Sequence, residues 1–388
     1  MLEAAAIAAG IVLGIFSGLV PGIHSNTVAS LLSTMPIDPG LMLYILVAVL
    51  GAHLVFQFFP SIFLSVPDDS VVLSVLPGNR MAMEGRGMEA VMVCASSVMI
   101  ATAASAVLIP VSLVLLPAAY SLVQPNIAAI LALASAFLLA SEREGRKIAL
   151  AAFVFLLAGA LGIASTNAAA GDPLFPAFSG LFAASGILLS FTSRKRIPAQ
   201  KGGTTRLDFL PYVAAGVAFG MLSELLPGIA APAQIAVFAS AIIATDDARK
   251  FLALVASIAS SHMVFAFSAL LSIGKAREGA LALLNAAKPV VPGDLPVMLG
   301  VFLLSVGVCS FLLARLARHA GLVQGLDAKK LNLCVLAYLT CAVAVISGAS
   351  GLLIFATATA IGLLPPLLGI RRTHVMGLII VPAILLSL

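Results

Sequence analysis

Two stretches of this chain place ionisable, polar and helix-breaking residues inside otherwise apolar sequence. In the first, a glycine-spaced apolar run ends in Pro21-Gly22 and is followed at once by His24, Ser25, Asn26 and Thr27. In the second, a similar run ends in Pro227-Gly228, with Glu224 just before the break and Gln234 after it. Proline removes a backbone donor and disfavours helix in the residue before it, and glycine permits the bend. A helix that restarts after such a break presents uncommitted N–H groups and the positive end of its dipole, a setting that suits an anion. Asn26 and Thr27 can cap the new helix or hydrogen-bond an oxyanion. His24 can neutralise an anion when protonated, or relay a proton. The competing reading is a kink or hairpin tip that serves packing alone, as isolated prolines such as Pro110 and Pro382 can. Under that reading His24 is a hydrogen-bonded core residue.

A second set of residues has the chemistry to carry a coupling ion or proton. Asp68 and Asp69 sit side by side in PSIFLSVPDDSVVLSVLPGNR at Pro60–Arg80, between apolar runs each too short to span a membrane. Adjacent carboxylates in that setting are costly unless they meet water, a cation or a basic group, so they could bind Na+ or carry a proton. A solvated loop tip is the alternative. His53 and His262 recur in matching contexts, with Gln57 one helical turn beyond His53, and with Glu224 they are candidates for the same work or for a shared packing contact. Arg80 could pair with a carboxylate or phosphate, or anchor the chain at the inner surface. The cysteines Cys94, Cys309, Cys334 and Cys341 lie in apolar stretches without metal-ligand spacing and read as small hydrophobes. No Walker loop, metal motif or nucleophile elbow occurs, so no catalytic residue is expected and no cofactor beyond Na+ or H+ as a coupling ion.

The elements that hold these residues must be membrane helices. Of 388 residues, 61% are hydrophobic and 10% charged, against about 25% charged in soluble domains. That excludes soluble and disordered classes. Continuous rather than alternating apolar runs argue against a β-barrel. At about 20 residues per span, the length allows roughly ten to twelve membrane elements. The net charge of +5 sits in short loops, where an inner-membrane protein needs it, and does not indicate nucleic acid. The start, MLEAAAIAAG, lacks a basic region and carries Glu3, so it does not read as a secretory signal. There is no tryptophan, and Tyr120 and Tyr212 fall beside predicted boundaries.

The chain also repeats itself. Gly10–Ile23, GIVLGIFSGLVPGI, aligns with Gly216–Ile229, GVAFGMLSELLPGI, with seven of fourteen positions identical at an offset of 206. Ala52–Phe58 and Ser261–Phe267 share four of seven positions at an offset of 209, His53 and His262 among them. The expected organisation is a first repeat at 1–192, a basic cytoplasmic linker at 193–208 and a second repeat at 209–388. Hydropathy predicts a broken segment at 4–34 and helices near 40–60, 88–116, 121–140, 147–164 and 174–191. The second half should hold a broken segment at 209–244 and helices near 250–273, 295–317, 331–346, 349–369 and 372–388. Loops 77–88, 141–147, 193–208, 315–330 and 370–374 are basic, whereas 117–120, 165–173 and 347–349 contain no Lys or Arg. With basic loops in the cytoplasm, equivalent helices run in opposite senses, which predicts two inverted repeats with broken or re-entrant helices at the Pro-Gly motifs. The loop 274–294, with Lys275, Arg277 and Lys288, disagrees and leaves a parallel repeat open.

GIFSGLVPGIHSNTVASLL, the Pro-Asp-Asp stretch and LPGNRMAMEGRGMEAV together resemble the large membrane subunit of tripartite tricarboxylate transporters, closest to its shorter stand-alone branch. The matching positions of the later motif are Pro77, Gly78, Met81, Ala82, Gly85, Gly87 and Ala90. The resemblance implies a secondary transporter of carboxylate anions driven by Na+ or H+, multi-pass in the cytoplasmic membrane. It also implies an extracytoplasmic binding protein and a small membrane subunit as partners; an oligomer is compatible with it. Pro21-Gly22 with Thr27 also resembles the Pro-Gly-x-x-x-x-Thr feature of polyprenyl-phosphate transporters, for which the substrate is a lipid phosphate. Under either resemblance Pro21–Thr27 and Pro227–Gln234 meet near the bilayer midplane around an anionic group, and Asp68, Asp69 or Glu224 carries the coupling ion. Two rivals from other classes are an intramembrane enzyme using His24, His53, Asp68 and Asp69, and a partner-binding subunit without transport of its own.

Overall fold

The computed structural model describes residues 1–20, 23, 25–33, 35–64, 71–142, 144–168, 174–190, 198–200, 207–225, 231–243, 245–318 and 328–388. Among them there is no strand. The helices of the first half are α1 (Leu2–Leu19), α2 (Ser25–Ser33), α3 (Pro39–Phe56), α4 (Phe58–Phe63), α5 (Val75–Met83), α6 (Gly87–Val107), α7 (Ile109–Val123), α8 (Ile127–Ala140), α9 (Gly145–Asn167), α10 (Leu174–Phe178) and α11 (Ser185–Ser190). A π-helical turn, Ser179–Ala184, joins the last two. The second half contributes α12 (Leu210–Ser223), α13 (Ala231–Ile242), α14 (Ala248–Ser272), α15 (Gly279–Ala287), α16 (Leu295–Arg318), α17 (Ala328–Leu368) and α18 (Gly377–Leu385). Among the described residues eight helical segments are long and apolar enough to cross a membrane, with three shorter apolar ones besides, so this is an all-α multi-pass membrane protein.

Two helices form the centre. The spanning window of α14 is 94% buried and that of α3–α4 83%, against 28% for α1 and for α7–α8. Because α3 and α14 meet protein on every side, they are apolar all round rather than amphipathic. Each starts at an aspartate cap: Asp38 Oδ1 accepts from the Gly40 and Leu41 amides at 2.9 and 3.1 Å, and Asp247 Oδ1 from the Arg249 amide at 2.9 Å. Helix α1 lies along α3 and α12 along α14, while α6 packs on α14 and α16 on α3. Small residues set these close crossings. A Cβ at Gly14 would stand 2.6 Å from both Ala52 Cβ and Val49 O, and one at Gly220 would stand 2.5 Å from Ser261 Cβ. Across the centre, Phe267 and Phe302 pack edge to face at 5.5 Å.

Both expected broken segments are interrupted. Helix α1 ends at Leu19 and α2 begins at Ser25; α12 ends at Ser223 and α13 begins at Ala231. With 9 and 12 residues, α2 and α13 are too short to span. Several expected boundaries are corrected. The predicted helix 88–116 is two helices divided at Leu108, because Pro110 sits in the first turn of a new helix, where its missing N–H costs nothing. The predicted loop 117–120 lies inside α7, and a 3-10 segment at Gln124–Asn126, with Pro125, separates α7 from α8. The stretch 274–294, read as a loop, contains α15, whose 9 residues are too few to register as a span. Gly348, at φ 63°, divides α17 near the expected 346–349 break. From the linker, Gln200 docks on the α5–α6 turn: its Oε1 accepts from the Gly87 amide at 2.8 Å and its Nε2 donates to Ala82 O at 3.0 Å.

Candidate functional site

The central helices carry one imidazole each, both buried, and each meets a serine from the glycine-spaced helix beside it. Ser17 Oγ lies 3.0 Å from His53 Nδ1, and Ser223 Oγ lies 2.9 Å from His262 Nδ1. Each serine also donates to a glycine carbonyl one turn back, Gly14 O at 3.1 Å and Gly220 O at 2.6 Å. A serine whose own proton is committed to that carbonyl presents a lone pair, which fits a proton on Nδ1 of each imidazole.

In the second half charge gathers around this motif. Glu224, 0% exposed, places Oε1 2.6 Å from His262 Nδ1. This approach is off the hydrogen-bonding direction, and neither Glu224 oxygen has a hydrogen-bond partner among the described residues. On the far side of the ring, Glu278 Oε1 lies 3.7 Å from His262 Nε2, which also lacks a hydrogen-bond partner there. Arg277 closes the site, donating from Nε to Glu224 O at 3.0 Å and covering the Tyr120 ring at 5.7 Å. Two carboxylates thus flank one buried imidazole. The unsatisfied oxygens and Nε2 give a proton more than one place to sit.

The same cluster reaches the first break. Asn26 Oδ1 accepts from the Ala280 amide at 2.8 Å in the opening turn of α15, two residues beyond Glu278. A Cβ at Gly279 would stand 2.8 Å from that Asn26 oxygen, so glycine permits the approach. The post-break sequence of one half thus holds the helix that presents Glu278 in the other.

Of the residues singled out from sequence, Glu224, His262 and Asn26 belong to this constellation, and His53 to the related pair. Gln57 is buried and donates to Leu54 O at 3.2 Å. Ser25 opens α2 and is buried. Thr27 and Gln234 lie on α2 and α13, and their side chains fall outside the described set. Pro21, Gly22, His24, Asp68, Asp69, Pro227 and Gly228 lie outside the described residues. Arg80 is remote from the cluster, 75% exposed and paired with Glu84 at 3.1 Å. Sequence reasoning missed Ser17, Ser223, Arg277 and Glu278. The serines are identical in the aligned stretches; Glu278 stands 209 residues after Asp69, the offset that relates the two histidines. Among the described residues no group of three or more His, Cys, Asp and Glu side chains is placed to hold a metal ion.

Long apolar helices closed around a buried ionisable cluster define a multi-pass membrane protein with charge chemistry at its centre. The profile of the tripartite tricarboxylate transporter TctA family matches residues 5–377, and the chain belongs to that family. It is a family of transporters rather than enzymes, which removes the intramembrane-enzyme reading of His24, His53, Asp68 and Asp69. Its members are the large subunits of tripartite systems that work with a binding protein and a small subunit. An uncharacterised protein of Methanocaldococcus jannaschii is 28% identical over 97% of this chain and 96% of its own length. No solved structure matches the chain.

Proposed function

We propose that this chain moves a di- or tricarboxylate anion across the cytoplasmic membrane, driven by protons carried on Glu224, His262 and Glu278. The observation that carries the proposal is the buried imidazole between two carboxylates, at 2.6 and 3.7 Å. Ionisable groups inside a membrane protein are costly and mark ion or proton pathways. A proton on this cluster offsets part of the charge of a polyanionic substrate, so both cross more readily together. In this reading the interrupted segments Pro21–Thr27 and Pro227–Gln234 face the anion with their helix N-termini. Asn26 ties that site to the proton cluster through α15, giving substrate and proton a shared lever.

The repeats at 1–192 and 209–388, inverted and joined by the linker 193–208, supply the two bodies that rock against each other. Matching aspartate caps, matching serine–imidazole pairs and the crossed packing of α6 on α14 and α16 on α3 support this division. A binding protein delivers substrate and the small subunit completes the complex.

The test is uptake into liposomes holding the chain with its small subunit and binding protein. A panel of di- and tricarboxylates and a short-chain polyprenyl phosphate are offered under imposed gradients. Carboxylate accumulation driven by a proton gradient, and lost in Glu224→Gln, is expected. Full uptake driven by Na+ alone at equal pH, or accumulation of only the lipid phosphate, would overturn the assignment.

A further inference from the structure

Remote from the proton cluster, the amino-terminal part of α5, the start of α14 and the turn before α18 line an open cavity of about 450 Å³. Leu73, Leu76, Phe182 and Phe251 give it apolar walls. Among the described residues its polar lining includes three arginines, Arg80, Arg371 and Arg372, and a single acidic residue, Asp246. The arginines are not equally committed. Arg371 donates its amide to Glu142 Oε1 at 2.9 Å and its Nη1 to Ser141 Oγ at 3.2 Å, and His374 Nε2 lies 2.8 Å from the same Glu142 oxygen. Among the described residues Arg80 pairs with Glu84 alone, at an exposed position. Asp246 is exposed and enters no ion pair among the described residues. Arg372 also enters none there, and its Nη1 is buried without a hydrogen-bond partner, as is Thr373 Oγ1 beside it.

A buried guanidinium hydrogen without an acceptor costs free energy that an oxyanion recovers. The acceptor wanted is therefore compact and rich in oxygen. The surrounding walls are apolar, so the group that carries it should be apolar too. We propose that this cavity binds the phosphate of an anionic phospholipid, with Arg372, Thr373 and Arg80 on the headgroup and an acyl chain along Leu76 and Phe251. Basic pockets between membrane helices take acidic headgroups in this way. The pocket walls come from both halves of the chain, so a lipid seated there touches both.

Native mass spectrometry of the delipidated protein tests this, with phosphatidylglycerol, phosphatidylcholine and inorganic phosphate added in separate arms. Phosphatidylglycerol should be retained over phosphatidylcholine, and Arg372→Gln should weaken it by about tenfold or more, the worth of a charge-assisted hydrogen bond. Arg80→Gln, at an exposed position that does not threaten folding, should weaken it less. Equal retention of both lipids, or phosphatidylglycerol binding unchanged in both variants, would overturn the site. Inorganic phosphate binding as tightly as the lipid would overturn the acyl-chain half of the assignment. Neither readout depends on the substrate transported.

Discussion

The serine–imidazole pairs of the two halves begin alike and end differently. Ser17 and Ser223 occupy the same place in the aligned stretches, and each reaches Nδ1 of a histidine on a central helix. The next residue is Gly18 in one and Glu224 in the other. Gly18 is still inside α1, pressed on α3: a Cβ there would stand 2.8 Å from Phe56 Cβ and 3.0 Å from His53 O. Helix α12 has already ended at Ser223, so Glu224 turns its side chain into the core. One turn past each histidine the sizes reverse, with Gln57 in the first half and Ala266 in the second. The helical register of a single residue thus decides whether the position closes a packed interface or presents a buried carboxylate.

The largest expected effect is on the charged side. Glu224→Gln keeps the volume and removes the titratable group, so proton-driven uptake should fall to the level of empty liposomes while the protein still purifies as a folded species. Glu224→Ala should in addition lower stability, since breaking a buried pair by removing one partner costs about 3–5 kcal/mol. Retained gradient-driven uptake in Glu224→Gln would break the comparison.

On the packed side the effect is on folding. Gly18→Leu should destabilise by about 1–3 kcal/mol or more, because the added atoms overpack the α1–α3 crossing. Thermal unfolding in detergent reads it. A glutamate forced at the same position should fare no better, which would show that the halves cannot exchange roles at this residue.

Removing the shared element should have a smaller and equal cost. Ser17→Ala and Ser223→Ala each delete two hydrogen bonds, to the imidazole and to the glycine carbonyl, worth about 1 kcal/mol apiece. Ser223→Ala should also displace the pH profile of uptake, because Glu224 lies against the same nitrogen of His262. An equal displacement from Ser17→Ala would place proton chemistry in both halves.

The helix caps give the smallest effect. Asp38→Ala and Asp247→Ala should each cost about 1 kcal/mol. Burial pushes the Asp247 carboxyl up, but its bonds to the Arg249 amide and guanidinium outweigh this and hold it below the usual carboxylate range. A carboxyl depressed in the folded state adds stability above its unfolded value, near pH 4, and that stability is lost as pH falls through the folded value. Thermal stability of Asp247→Asn should therefore depend less on pH below about 5 than that of the parent.

Much of this was legible in the chain. Low charge and continuous apolar runs specify an all-α membrane protein, and the Pro-Gly pairs locate the two interruptions, because these signals are local. The cluster itself was only half visible. Glu224 and His262 stand out as buried ionisable residues, but Glu278 and Arg277 sat in a stretch read as a polar loop. The nine-residue α15 is too short to raise hydropathy over a spanning window, and its start is fixed by Asn26, more than 250 residues earlier in sequence. The division between α7 and α8 falls at Gln124–Asn126 rather than at the expected 117–120. Pro117 is carried inside α7 by the apolar residues around it.

The most direct test of the central claim is proton movement itself. With a pH-sensitive dye trapped inside liposomes holding the assembled transporter, an inward tricarboxylate gradient should acidify the lumen. The same gradient should leave the dye unchanged in Glu224→Gln. Substrate entry without acidification in the parent protein, or acidification undiminished in Glu224→Gln, would contradict a proton pathway through Glu224, His262 and Glu278.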